Sequence, residues 1–277
     1  MTGFSLFISK VHNLTSDEIQ QYKKSFTKDE LSNIEQLQLN FQNVLYSYYF
    51  TKVCLSKVIN CPIGQITVKR KKLYKPVLQQ HGEKKYDFNV SHDFNLFVLS
   101  CMEADLNSIG IDLAYTKLKS DKRSPTDFLD NMKSTMTVKE WNFIKHVNSI
   151  DQMLYRYFLL WTIKESFLKC VGCGLSFEIG KLEINIPNET MLMHCTEKIV
   201  YTTDSLKVYH LENWEQIRIF SLFQESFEID NYKILPGMQN YTFSVYRITD
   251  ENTGNYWVTI CKRGLHQNHD CSVINFI

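Results

Sequence analysis

Three charged residues sit inside otherwise apolar runs and are the first candidates for chemistry. Asp112 lies in Ser108-Ile-Gly-Ile-Asp-Leu113, and Glu165 and Lys169 lie in Trp161–Leu175, WTIKESFLKCVGCGL. A charge in an apolar element is costly unless it is paired or bound to a cation. Two carboxylates with open positions suit Mg²⁺, which takes few protein ligands and completes its shell with water and phosphate oxygens. Upstream, Lys69, Arg70, Lys71, Lys72 and Lys75 cluster in one stretch, and Ser91-His92 follows. Clustered Lys and Arg favour phosphates, so the set describes a phosphoanhydride held by a metal and cations. Plainer readings stand beside it. Glu165 and Lys169 also fit an ordinary i, i+4 helix pair worth about 0.3–0.5 kcal/mol. The basic stretch also fits a solvated loop, and a His at a strand end is commonly structural. A nucleic-acid site is a third option, with only Tyr74 interleaved for base stacking.

The elements that must position these residues can be read from periodicity. Phe4–Ser9 reads as an opening strand. Capping boxes at Thr15–Glu18, Thr27–Glu30 and Thr137–Glu140 each start a helix. From Leu31 the apolar residues recur at three and four positions, predicting one helix to about Ile59, stopped by Cys61-Pro62. Ile66–Val68 is a short strand. Tyr86–His92 alternates Tyr86, Phe88 and Val90 inward, and Leu96–Leu99 returns as a hairpin over Asp93-Phe94-Asn95. Asn89, Ser91 and His92 together offer several donors at one edge. In the strand Ser108–Leu113, Ser108, Gly110 and Asp112 share a face, and Gly110 leaves room there for something large to approach. The main helix runs from about Asp151 to Val171. Leu160, Ile163, Phe167 and Cys170 form its buried stripe, Trp161, Glu165 and Lys169 a neighbouring one, and Gly172 and Gly174 its stop. Six strands follow, at Lys181–Ile186, Lys198–Tyr201, Leu206–Leu211, Ile217–Phe223, Tyr241–Ile248 and Tyr256–Cys261. The last two are joined through the turn at Asp250–Gly254.

Composition bounds the rest. The chain has 277 residues, 44% hydrophobic and 22% charged, with a formal charge of +1. That allows one large domain or two modest ones and gives no global field toward nucleic acid or membrane. The eight cysteines are scattered, which suits a reducing compartment. Cys170 and Cys173 form a lone C-x-x-C, without the second pair a zinc site needs. The start lacks the order of a signal peptide, and no apolar run approaches the ~20 residues that span a bilayer. A cytosolic protein is expected.

The ordered set FNVSH (Phe88–His92), Gly110-Ile111-Asp112 and Trp161…Lys164-Glu165-Ser166…Lys169 resembles the Sfp-type 4′-phosphopantetheinyl transferases, and within them the animal type. The likeness also covers Asn60…Pro62 through Lys75-Pro76-Val77-Leu78, and Thr137…Lys139-Glu140-Trp141; it spans roughly Thr27 to Ile179. The resemblance implies an α+β fold built as a pseudo-twofold pair of similar halves, 1–105 and 106–277, with the ligand in the cleft between them. It implies Mg²⁺-dependent transfer of phosphopantetheine from coenzyme A to a serine of an acyl carrier protein or carrier domain, of the fatty acid synthase or aminoadipate-semialdehyde dehydrogenase type, releasing adenosine 3′,5′-bisphosphate. By the same resemblance Asp112 and Glu165 hold the metal, Glu165 helps deprotonate the serine, and Lys169 and His92 neutralise charge on the phosphate oxygens. Arg70, Lys71, Lys72, Leu73, Tyr74 and Lys75 hold the nucleotide of coenzyme A, and Asn89, Val90, Ser91 and His92 line the pyrophosphate. A monomer without nucleic-acid or membrane partners is implied.

This sequence departs from the family pattern in places. Ala114 stands where bacterial relatives carry a third acid. Asn33, Asn40-Phe41 and Tyr48 stand where animal-type members carry an arginine, an Arg-Asp pair and a basic residue; Lys52 keeps its charge. The alternative to an active transferase is therefore a protein of the same fold that keeps coenzyme A or a carrier without turnover.

Overall fold

In a computed structural model the described residues are 4–36, 41–69, 75–79, 84–103, 108–118, 124–174, 177–185, 196–212, 218–221, 227–229, 232–234, 241–263 and 271–276. The chain divides into two compact units, Met1–Asp105 with His269–Ile277, and Leu106–Asn268.

The first unit begins with β1 (Phe4–Lys10), then α1 (Ser16–Lys23) and α2 (Lys28–Glu35). Thr15 and Thr27 each accept from the N–H three residues on, while Glu18 and Glu30 accept from the cap N–H groups, closing both capping boxes. Next come α3 (Phe41–Ile59), a short hairpin of β2 (Val68–Lys69) and β3 (Val77–Leu78), and β4 (Tyr86–Asp93) paired with β5 (Leu96–Glu103). The single helix expected over 31–59 is instead two elements. Lys52 Nζ lies 3.0 Å from Glu30 Oε2, whereas 22 residues of one straight helix would hold them about 33 Å apart. The chain folds back so that the two helices share this buried pair. On one side of the sheet, Leu45, Phe50 and Cys54 of α3 pack with Phe7, Phe88, Phe97 and Leu99.

In the second unit, β6 (Ser108–Tyr115) is followed by α4 (Pro125–Asn131), α5 (Val138–Lys145) and α6 (Ile150–Val171). Ser149 caps α6 by accepting from the Gln152 N–H, and Gly172 ends it with φ of 85°, the left-handed conformation a side chain would resist. Then come β7 (Leu182–Asn185), β8 (Glu197–Thr202), β9 (Leu206–Leu211), β10 (Arg218–Ser221), β11 (Phe227–Ile229), β12 (Tyr232–Ile234), β13 (Tyr241–Asp250) and β14 (Gly254–Arg263). One antiparallel sheet has the order β6-β14-β13-β9-β8; β7 pairs with β10 and β11 with β12. Leu160, Ile163, Phe167 and Cys170 are all buried, as the stripe predicted. They join Phe243, Val245, Trp257 and Cys261 of the sheet in one core.

The last strand, β15 (Cys271–Phe276), returns to the first unit and runs parallel to β1, giving the order β15-β1-β5-β4. Helices set against antiparallel sheets make the class α+β, as expected. No helix among the described residues is long and apolar enough to cross a membrane.

Candidate active site

The site in the second unit starts from how closely α6 lies on β6. A Cβ placed on Gly110 would sit 2.1 Å from the Ser166 carbonyl oxygen and 2.3 Å from the Cys170 nitrogen. The large thing that approaches Gly110 is thus the backbone of α6 itself. Polar contacts fix the same packing: Ser108 Oγ donates to the Cys170 carbonyl at 2.8 Å, and Thr162 Oγ1 lies 2.9 Å from Thr259 Oγ1. Thr259 stands beside Asp112 in the β14–β6 register. Because Ser108, Gly110 and Asp112 share one face of the strand, the docking that Gly110 permits sets Asp112 against the same helix.

The consequence is an ion pair across the interface. Lys169 Nζ lies 2.5 Å from Asp112 Oδ1, with the aspartate nearly buried and the lysine partly exposed. The i, i+4 geometry suggested a Glu165–Lys169 pair; the lysine's ion pair is made with Asp112. Glu165 Oε1 is buried and has no hydrogen-bond partner. Burial raises the Glu165 pKa above the usual carboxylate range, the Asp112 charge raises it further, and Lys169 offsets part of this. Two carboxylates and one ammonium therefore share a pocket of low polarity, one carboxylate oxygen lacking compensation.

The neighbouring lysine of the same motif does different work. Lys164 is fully buried. Its Nζ donates to Glu140 Oε2 at 2.6 Å, to the Thr135 carbonyl at 3.0 Å and to the Ile179 carbonyl at 3.4 Å. Glu140 Oε2 also accepts the Thr137 N–H, closing a third capping box, and its Oε1 accepts the Ile184 N–H. The pair thus ties α5, α6 and β7 together. Desolvation lowers the Lys164 pKa, with Glu140 opposing. The sequence flagged both residues as motif positions but not as partners. The available signal was a Glu and a Lys each embedded among apolar residues.

In the first unit, Lys75 is ion-paired with Asp87 on β4. The strand divides the predicted pyrophosphate residues rather than gathering them. His92 stacks on core Phe97 with ring centroids 4.8 Å apart, on the face that Phe88 and Val90 turn toward α3. Asn89 and Ser91 are buried on the opposite face, in register with Ser100 and Val98. The Lys52 charge, kept where the family is basic, is spent internally: Nζ donates to the Ser25 carbonyl at 2.8 Å and to Glu30, and sits 5.0 Å from the Phe26 ring. Ala114, at the third-acid position, is buried opposite Trp257. Arg70, Lys71, Lys72, Leu73 and Tyr74, and Asn40 with its neighbours 37–39, lie outside the described residues.

The donors suit a hard divalent cation. Mg²⁺ is commonly held by one or two carboxylates with waters and substrate phosphates completing the shell. Glu165 Oε1 is a buried oxygen in want of a positive partner, and the mutual effect of Asp112 and Glu165 is what a cation would relieve. Among the described residues no group of three or more His, Cys, Asp and Glu side chains forms an all-protein cage, so such an ion would rely on non-protein oxygens.

Comparison with known proteins finds two family matches covering most of the chain. Residues 7–104 match the family described as 4′-phosphopantetheinyl transferase, N-terminal, and residues 108–269 match the 4′-phosphopantetheinyl transferase superfamily. Among individual relatives, the L-aminoadipate-semialdehyde dehydrogenase-phosphopantetheinyl transferases of Rattus norvegicus and Homo sapiens are 33% identical over 135 residues, 48% of this chain and 43% of theirs. The protein of the same name from Schizosaccharomyces pombe is 27% identical over 204 residues, 69% of this chain and 76% of its own. The chain thus spans less than half the length of the animal relatives it matches.

Proposed function

Because this chain belongs to the 4′-phosphopantetheinyl transferase superfamily, we propose that it moves the 4′-phosphopantetheine of coenzyme A onto a serine hydroxyl of a carrier domain. The serine oxygen forms a bond to the phosphorus on the pantetheine side of the pyrophosphate. The bridging P–O bond breaks, adenosine 3′,5′-bisphosphate leaves, and the serine proton passes to a base. The observation that carries this reading is the unpartnered Glu165 Oε1 beside the Asp112–Lys169 pair.

Asp112 and Glu165 hold Mg²⁺ in this reading. When bound, the ion stabilises charge on the pyrophosphate oxygens. Lys169, set by Asp112, offers a partly exposed ammonium to the same oxygens, the usual source of catalysis in phosphoryl transfer. Glu165 takes the serine proton directly or through water, for which burial has made its carboxylate a better base. Arg70 through Lys75 hold the nucleotide, Asn89 through Ser91 line the pyrophosphate, and His92 adds a donor. The names of the relatives support a carrier of the aminoadipate-semialdehyde dehydrogenase type, with the carrier of fatty acid synthase as another. We read the enzyme as a cytosolic monomer with no nucleic-acid or membrane partner.

The test is labelling of an apo acyl carrier protein with a fluorescent coenzyme A conjugate. The reading expects label on the carrier serine only when Mg²⁺ is present. No label above background across several carriers overturns it. A second reading has its own support: Asn33 and Tyr48 lack the family's charge, and Lys52 is engaged by Glu30. That reading is a coenzyme A or carrier binder without turnover, and calorimetric binding of coenzyme A without any transfer would select it.

A further inference from the structure

The second unit contains a cavity that Asp112, Glu165 and Lys169 do not line. Its volume is about 930 Å³, at the upper end of small-molecule sites. It lies along the N-terminal half of α6: Leu159, the last helix residue on its wall, precedes Glu165 by six positions, about 9 Å along the axis.

The wall is divided by chemistry. Leu159, Leu211 and Trp257 provide a floor of core side chains. The Trp257 indole N–H is satisfied by the Tyr155 carbonyl at 3.0 Å, so the floor asks for no polar partner there. Around it stand Lys145, His146 and Arg156. Arg156 is nearly buried and held in place, its guanidinium 4.4 Å from the Phe143 ring and donating to the Phe143 carbonyl at 2.6 Å. The carboxylate in the lining, Glu197, is gripped by Arg247 through two parallel bonds, at 2.9 and 2.5 Å, which cancels its charge locally. Gln152, in the first turn of α6, also lines the space, so the positive end of the helix dipole faces the same region.

From this division we infer a second binding site, for a small apolar molecule that ends in a single anionic group. The hydrocarbon or aromatic body rests on Leu159, Leu211 and Trp257, and the carboxylate or phosphate faces Lys145 and Arg156. An uncharged molecule of the same shape loses the attraction of the rim, and a bare inorganic anion gains nothing from the floor. The inference does not depend on the transferase reading.

Calorimetry on the full chain with octanoate, octan-1-ol and inorganic phosphate tests it. Octanoate is expected to bind one to one, with octan-1-ol and phosphate each at least about tenfold weaker. The exposed Lys145→Glu change should weaken octanoate about tenfold and leave octan-1-ol unaltered. The inference is overturned by octanoate binding weaker than about 1 mM, by equal binding of octan-1-ol or phosphate, or by a Lys145→Glu protein that holds octanoate as before. Because Lys145 is a surface side chain, that variant folds as the parent does, and its thermal transition checks this.

Discussion

Two lysines of α6, five residues apart, each meet a carboxylate from another element, and the two pairs differ in whether they are closed. Lys164 and Glu140 are fully buried, with donors and acceptors matched to backbone groups on both sides. Lys169 and Asp112 form a pair whose lysine is partly open, beside a third group, Glu165, with a buried oxygen unpartnered. Five residues turn the helix by about 140°, so one motif serves two faces. The closed pair is scaffold and the open one is where a ligand completes the structure. An unsatisfied buried oxygen in an otherwise well-paired protein calls for a functional explanation.

The strongest way to break the comparison is to open the closed pair. Lys164→Met leaves Glu140 buried without its cation and is expected to cost about 3–5 kcal/mol in stability, read as a lowered denaturant midpoint. A loss under about 1 kcal/mol would show that the pair is not the anchor described. Next is Glu165→Gln, which keeps shape and removes charge. Transfer to an apo carrier should fall about 10²–10³-fold while the fold is kept. Unchanged turnover would mean the open pair is not the site.

Gly110→Ala joins the two regions, since the added methyl meets the α6 backbone at Ser166 and Cys170. The expected cost is about 1–3 kcal/mol, with a further loss of transfer as Glu165 and Lys169 shift from Asp112. A variant equal to the parent in both would mean that α6 does not lie so close to β6.

The smallest effect is in the pH dependence. Glu165 has a folded-state pKa raised above its unfolded value, so the folded protein binds the proton more tightly. Its contribution to stability is therefore greatest at low pH and is lost as pH rises from the ordinary glutamate value through the raised one. Glu165→Gln should remove that slope. A variant whose melting temperature follows the same pH curve as the parent would sink the assignment.

Much of this arrangement was legible before any coordinates. All three capping boxes form, Leu206–Leu211 is a strand at the bounds read from alternation, and the turn at Asp250–Gly254 joins β13 to β14. These features are local, set by spacings of two to four residues. What depended on distant partners was not legible. Lys164 and Lys169 look alike on a helix, and only the fold chooses Glu140, 24 residues away, for one and Asp112, 57 residues away, for the other. Gly110 signalled a close approach without saying that α6 makes it. The break between α2 and α3 was hidden because their apolar stripes stay in phase. His92 was grouped with Asn89 and Ser91 by proximity in sequence, whereas the pleat turns it to the other face.

The central claim is that Asp112 and Glu165 form a divalent-cation site left open by design of the fold, while Lys164 and Glu140 do not take part. Mn²⁺ binding, followed by electron paramagnetic resonance with coenzyme A present, tests this directly. One bound ion per chain is expected in the parent protein, lost in Glu165→Gln and retained by Lys139→Gln, which removes a surface lysine beside Glu140. Equal Mn²⁺ binding by the parent and the Glu165→Gln protein would contradict the account.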